Sequence, residues 1–93
     1  MNYRKINLEL VPFLRFTKSD ALFLPSEKRE RDHQLVSATA LTMSDHEEVG
    51  LVVRLADGEN VEVVSNHIDY EGEFVELKGG HVIPIRAIVR VDI

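Results

Sequence analysis

The sequence predicts a mainly β protein, a small and partly open barrel of five or six short strands with room for one short N-terminal helix. Three observations carry that reading. Apolar residues alternate with polar ones at Leu51, Val53 and Leu55 and again at Val61 and Val63, across an Asp57-Gly58 turn, a strong local hairpin signal. Two further apolar runs, "FVEL" and "HVIPIR", flank Lys78-Gly79-Gly80. Pro84 then sits inside what would otherwise be one final strand, and proline cannot donate to a ladder. "HVI" should therefore pair with "FVEL", and "IVRV" should turn away to pair elsewhere.

The remaining elements follow in chain order. In "KINLEL", Ile6, Leu8 and Leu10 alternate with Lys5, Asn7 and Glu9, the period of a half-buried strand that Pro12 limits or places at an edge. "VPFLRF" supplies Phe13, Leu14 and Phe16 to cover one end of the core. "SDALFL" has the makings of one helical turn, capped by Ser19 and ended by Pro25. Residues 26–34 contain no apolar side chain, so they read as a charged, mobile loop with rapid amide exchange. "LVSATALTM" reads as a strand from its β-branched content. The alternative is an α+β sandwich with a real helix in residues 19–34. The expected core is Ile6, Leu8, Leu51, Val53, Leu55, Val61, Val63, Val75, Leu77, Ile85, Val89 and Val91, and Gly58 is expected at positive φ.

Ninety-three residues make a single domain, 1–93, with its barrel meander in 50–93 and one core but no deep cleft. The 44% hydrophobic and 29% charged content is that of an ordinary globular protein. Without cysteine there are no disulfides, thiolate zinc sites or iron–sulfur clusters. The N-terminal stretch is broken by Asn7, Glu9, Pro12 and Arg15, so it is no signal-peptide core, and no run approaches the about 20 apolar residues of a membrane span. The expectation is a cytoplasmic protein.

The net charge of −5 is unevenly spread. Residues 1–31 hold seven Lys/Arg against four acids, and the rest hold four against twelve. An acidic body opposes binding to phosphate backbones and suits a basic protein partner. Between Glu62 and Glu76 the acids Glu62, Asp69, Glu71, Glu73 and Glu76 meet no Lys or Arg within the span, and they are the candidate partner-binding residues. The rival is an RNA-binding module that uses the basic N-terminal third through Arg15, Lys18, Lys28, Arg29 and Arg31.

Chemistry has little to stand on. His33, His46, His67 and His81 show no spacing that brings three or four ligands together, and they read as turn histidines. The serines lie in no Gly-x-Ser-x-Gly elbow, and no Lys-Ser/Thr follows Gly79-Gly80, which is a turn. No catalytic residue, metal or cofactor is expected. Tyr70 stands among Asp69, Glu71 and Glu73, a poor platform for stacking nucleobases.

From Gly50 onward, an apolar strand (Leu51 to Leu55), Asp57-Gly58, a second strand (Val61 to Val64), an acidic connection (Asp69 to Glu73), a strand (Phe74 to Leu77) and a last stretch (Ile85 to Val91) follow one another. This order resembles the small bacterial Sm-like and SH3-like barrels, most closely the Rho-binding antiterminator family. The resemblance implies an acidic regulator that docks on the basic RNA-binding surface of the termination factor Rho. Residues 17–48 have no counterpart in it. The expected function is thus a non-enzymatic adaptor that binds a basic protein through an acidic face.

Overall fold

The computed structural model describes residues 3–93. Among these residues seven strands form two sheets, with one α-helix packed against both: β1 (Arg4–Ile6), α1 (Pro25–Asp45), β2 (Val49–Arg54), β3 (Asn60–Ser65), β4 (Ile68–Tyr70), β5 (Phe74–Leu77), β6 (Val82–Pro84) and β7 (Ile88–Asp92). One sheet runs β1-β3-β2-β7 and the other β4-β5-β6. Only Asn66 and His67 separate β3 from β4, so the two are halves of one bent ribbon that carries the chain from the first sheet to the second. Buried Ser65 sits at the bend. Its hydroxyl donates to the His67 carbonyl at 2.7 Å and accepts the N–H groups of His67 and Lys78 at 3.2 and 3.3 Å. Among the described residues the result is mainly β, with no closed barrel.

Both hairpin expectations hold. Gly58 turns β2 into β3 at φ 92°. Pro84 ends β6, a 3-10 turn over Ile85–Ala87 redirects the chain, and β7 pairs antiparallel with β2. Of the expected core residues, Ile6, Leu51, Val53, Val61, Val63, Val75, Leu77, Ile85 and Val91 are buried, whereas Leu8, Leu55 and Val89 are only partly covered. Val52, of opposite phase, is buried as well. Its register row crosses the first sheet as Lys5, Glu62, Val52 and Arg90, which sets it between two long side chains, Glu62 and Arg90.

The N-terminal half departs from expectation. The strand "KINLEL" stops at Ile6, and Leu8–Phe13 wind into a 3-10 turn that buries Val11. Residues 26–34 are helix, not loop, and "LVSATALTM" continues that helix rather than forming a strand. Pro25 does not end a turn capped by Ser19; it opens α1, because the N–H that proline lacks is an unpaired one at a helix start. The Glu27 carboxylate accepts the Leu24 N–H at 3.3 Å, and His46 closes the C-terminus at φ 55° with its N–H on the Thr42 carbonyl.

The buried face of α1 consists of Arg31, Leu35, Ala38 and Thr42, a helical stripe masked in the sequence because its first and last members are polar. Along this face α1 seals the gap between the sheets. Arg31 donates to the Ile88 carbonyl on β7 at 3.1 Å. The Thr42 hydroxyl meets both the N–H and the carbonyl of Ile68, and Thr39 accepts the Tyr70 N–H at 3.2 Å, so the edge of β4 is satisfied by side chains. Among the described residues no helix is long and apolar enough to cross a membrane.

Candidate partner-binding face

The second sheet has one face on the core and one in solvent. Ile68, Leu77, Val75 and Ile83 point inward, with Tyr70 partly covered beside them. The alternate residues point out. Register places Asp69 opposite Glu76 and Glu76 opposite Val82, with Phe74 opposite Pro84 in the next outward row. At the β4-β5 turn, Glu71 donates its N–H to the Phe74 carbonyl at 2.9 Å. Asp69, Glu71 and Glu76 thus form one acidic group. The Glu71 carboxyl is held above its ordinary range of 4.5, first by a hydrogen bond shared with Asp69, then by that residue's charge, then by partial desolvation and by Glu76.

This acidic group is unneutralised. Among the described residues the ion pairs are Arg4–Glu59, Lys28–Asp20, Arg31–Asp20 and Arg90–Asp92, and none reaches it. Beside it, toward β6, Phe74 and Val82 are 41% and 48% exposed. The face is half acidic and half apolar. The apolar half went unread in the sequence, although the period-2 signal contained it, since Phe74 shares the parity of Glu76, and the Lys78-Gly79-Gly80 turn carries that parity to Val82.

Of the five predicted acidic residues, Asp69, Glu71 and Glu76 come together, and Glu73 lies exposed in the adjoining turn. Glu62 is apart. It lies on the outer face of the first sheet, in register with Lys5 and Val52, and its carboxylate folds over Gly50 so closely that a Cβ there would come within 2.7 Å of Oε2.

The predicted basic residues do not form one face. Arg15 and Lys18 lie on exposed irregular chain, and Arg29 is exposed on α1. Lys28 is half-buried, 4.0 Å from Asp20. Arg31 is a correction to the sequence reading: it is 5% exposed, and its guanidinium is taken up by Asp20 and the Ile88 carbonyl, which withdraws it from any phosphate.

Tyr70 is likewise engaged. Burial, then the nearby Asp32 carboxylate on α1 and a hydrogen bond with it, raise its phenol pKa. His46 and His67 line a cleft of about 530 Å³ with Met43, Asn66 and Lys78 between the helix end and the β3-β4 bend. No group of three or more His, Cys, Asp or Glu able to hold a metal occurs among the described residues. Comparison with protein families, with curated proteins and with solved structures gives no match to this chain.

Proposed function

We propose that the chain is a non-enzymatic adaptor that binds a basic protein surface through the outer face of β4, β5 and β6. The observation that carries this reading is the pairing, on one sheet face, of unneutralised Asp69, Glu71 and Glu76 with exposed Phe74 and Val82. Carboxylates set side by side repel one another, and exposed charges add little to folding, so the arrangement serves a partner better than it serves the chain itself. Complementary charge speeds encounter and fixes orientation, while a desolvated aromatic anchor supplies affinity. The resemblance of residues 50–93 to the Rho-binding antiterminators makes the basic RNA-binding surface of a Rho-type termination factor the first partner to test, with antitermination as the outcome of binding.

The experiment is a pull-down from nuclease-treated lysate and on purified Rho-type factor, comparing the parent with Asp69→Lys/Glu71→Lys and with Phe74→Ala. Both variants should lose the partner while keeping the parent's fold. Capture that survives the double charge reversal at low as well as physiological salt overturns the acidic-face reading. Capture that vanishes on nuclease treatment, and that depends on Arg15, Lys18 and Arg29, supports the RNA-binding alternative in its place.

A further inference from the structure

We infer that the cleft between the C-terminal end of α1 and the β3-β4 bend binds a small phosphomonoester by its phosphate. The lining of this cleft offers two imidazoles, His46 and His67, the Lys78 ammonium and the Asn66 amide, all able to donate to oxygen. It offers no carboxylate, in a chain whose net charge is −5. Among the described residues Lys78 enters no ion pair, and the ring nitrogens of His46 and His67 meet no protein partner. Two buried hydroxyls bring these groups together. Ser65 accepts the N–H groups of both His67 and Lys78, at 3.2 and 3.3 Å, so two residues distant in sequence are anchored on one oxygen. Thr42 accepts the Ile68 N–H at 3.1 Å, which docks the helix end beside the residue that follows His67. His46 is fixed there in turn, its N–H on the Thr42 carbonyl at 3.1 Å. The backbone N–H groups of all three residues are thus spent on holding the site, and their side chains remain for a ligand.

The donor set identifies the ligand. Lys78 opposes a metal cation beside the two histidines, so the occupant is an anion. A phosphate carries three outer oxygens and close to two negative charges, enough to engage Lys78 and both imidazoles at once, whereas a carboxylate has only two oxygens. The volume of about 530 Å³ falls within the range of small-molecule sites and exceeds what inorganic phosphate fills. Met43, an apolar side chain 66% exposed in the lining, suits an organic body attached to that phosphate. Asp45, Glu47 and Glu48 flank His46 in the chain, all exposed, and the end of α1 adds the negative pole of its dipole. These surroundings repel a chain of phosphates, so the fit is to one phosphate on a small molecule and not to a nucleic acid. The cleft shares no residue with the acidic sheet face.

Nuclear magnetic resonance titrations with phenyl phosphate, inorganic phosphate and phenol test the site. Phenyl phosphate should shift the amides of His46, Asn66, His67 and Gly79 along one saturable curve. Inorganic phosphate should shift the same set at higher concentration, and phenol should not shift it. Lys78→Gln and His67→Asn, both at exposed positions, should each weaken phenyl phosphate about tenfold at an unchanged melting temperature. Met43→Ser should erase the advantage of phenyl phosphate over inorganic phosphate. No saturable shift with either phosphate, an affinity indifferent to both Lys78→Gln and His67→Asn, or phenol matching phenyl phosphate overturns the proposal. So does a short RNA that shifts the same amides at lower concentration than phenyl phosphate, since the cleft would then be a nucleic-acid site.

Discussion

Arg31 and Asp20 face each other two atoms to two, Nη1 to Oδ1 at 2.8 Å and Nη2 to Oδ2 at 3.0 Å, while Nη1 also reaches the Ile88 carbonyl at 3.1 Å. One side chain thus ties the irregular segment before α1, the helix itself and strand β7. Asp20 in turn accepts the Leu22 N–H at 2.8 Å, fixing the chain just ahead of the helix start. Removing Arg31 as Arg31→Met should cost about 3 kcal/mol, the lower end of the range for breaking a buried pair, because Asp20 keeps partial access to water. Urea unfolding of the variant checks this, and a loss below a few tenths of a kcal/mol would show the pair to be passive.

The same pair sets an acid limit. The Arg31 hydrogen bond, aided by the Leu22 N–H and the charges of Arg31 and Lys28 and opposed by partial burial, holds the Asp20 carboxyl below its ordinary 3.8. A carboxyl whose pKa is depressed on folding contributes stability that is present above 3.8 and lost as pH falls through the folded value. Melting temperatures below pH 3.8 should therefore fall more steeply for the parent than for Asp20→Asn. Parallel curves would deny the linkage.

Helix α1 should be among the better protected parts of the chain, where the sequence alone suggests a mobile loop. Amides from Arg31 to Thr42 lie on or beside the buried stripe and should exchange slowly. Leu35 is fully buried, so Leu35→Ala should cost about 2–5 kcal/mol. Fast exchange from Glu30 to Gln34, with a near-neutral Leu35→Ala, would mean that the helix is not docked.

The β half was legible because its signals are local. Alternation at Leu51, Val53 and Leu55, the glycine at position 58 and the proline at position 84 each act through their own backbone, and the strands follow them. The helix was illegible because what holds it lies far away in the chain. Arg31 counts as polar in any window, yet it is buried by Asp20 and Ile88, eleven and fifty-seven residues distant. Thr39 and Thr42 look β-forming until their hydroxyls are seen capping the edge of β4. The acidic group was half legible for the same reason. Asp69 and Glu71 stand two apart where β4 runs into its turn, and Glu76 joins Asp69 through hairpin register, but nothing local shows that Glu62 folds over Gly50.

Ser65 holds the bend between the sheets with a single hydroxyl that serves one carbonyl and two N–H groups. Ser65→Ala leaves those groups without their partner in a buried setting and should cost about 1–3 kcal/mol. The His67 and Lys78 amides should lose protection first, ahead of those in β2 and β3. Uniform loss across the chain would mean that the bend is held by packing alone.

The acidic face has a pH signature opposite in sign to that of Asp20. Asp69 raises the Glu71 carboxyl above 4.5, so the folded chain holds the Glu71 proton more tightly than the unfolded chain does. Repulsion therefore costs stability above the folded value and is relieved as pH falls toward 4.5. The parent should gain stability on acidification through the window just above 4.5, before the loss at Asp20 sets in below 3.8. Asp69→Asn removes the main cause. That variant should be at least as stable as the parent at neutral pH and should show no gain in the window. Partner binding should respond the other way, because a protonated Glu71 no longer attracts a basic surface. Titrating the captured partner over the same window should thus show binding falling while melting temperature rises, and Glu71→Gln should flatten both curves. Binding that stayed constant while the melting temperature shifted would separate Glu71 from the interface and leave Phe74 and Val82 to carry it.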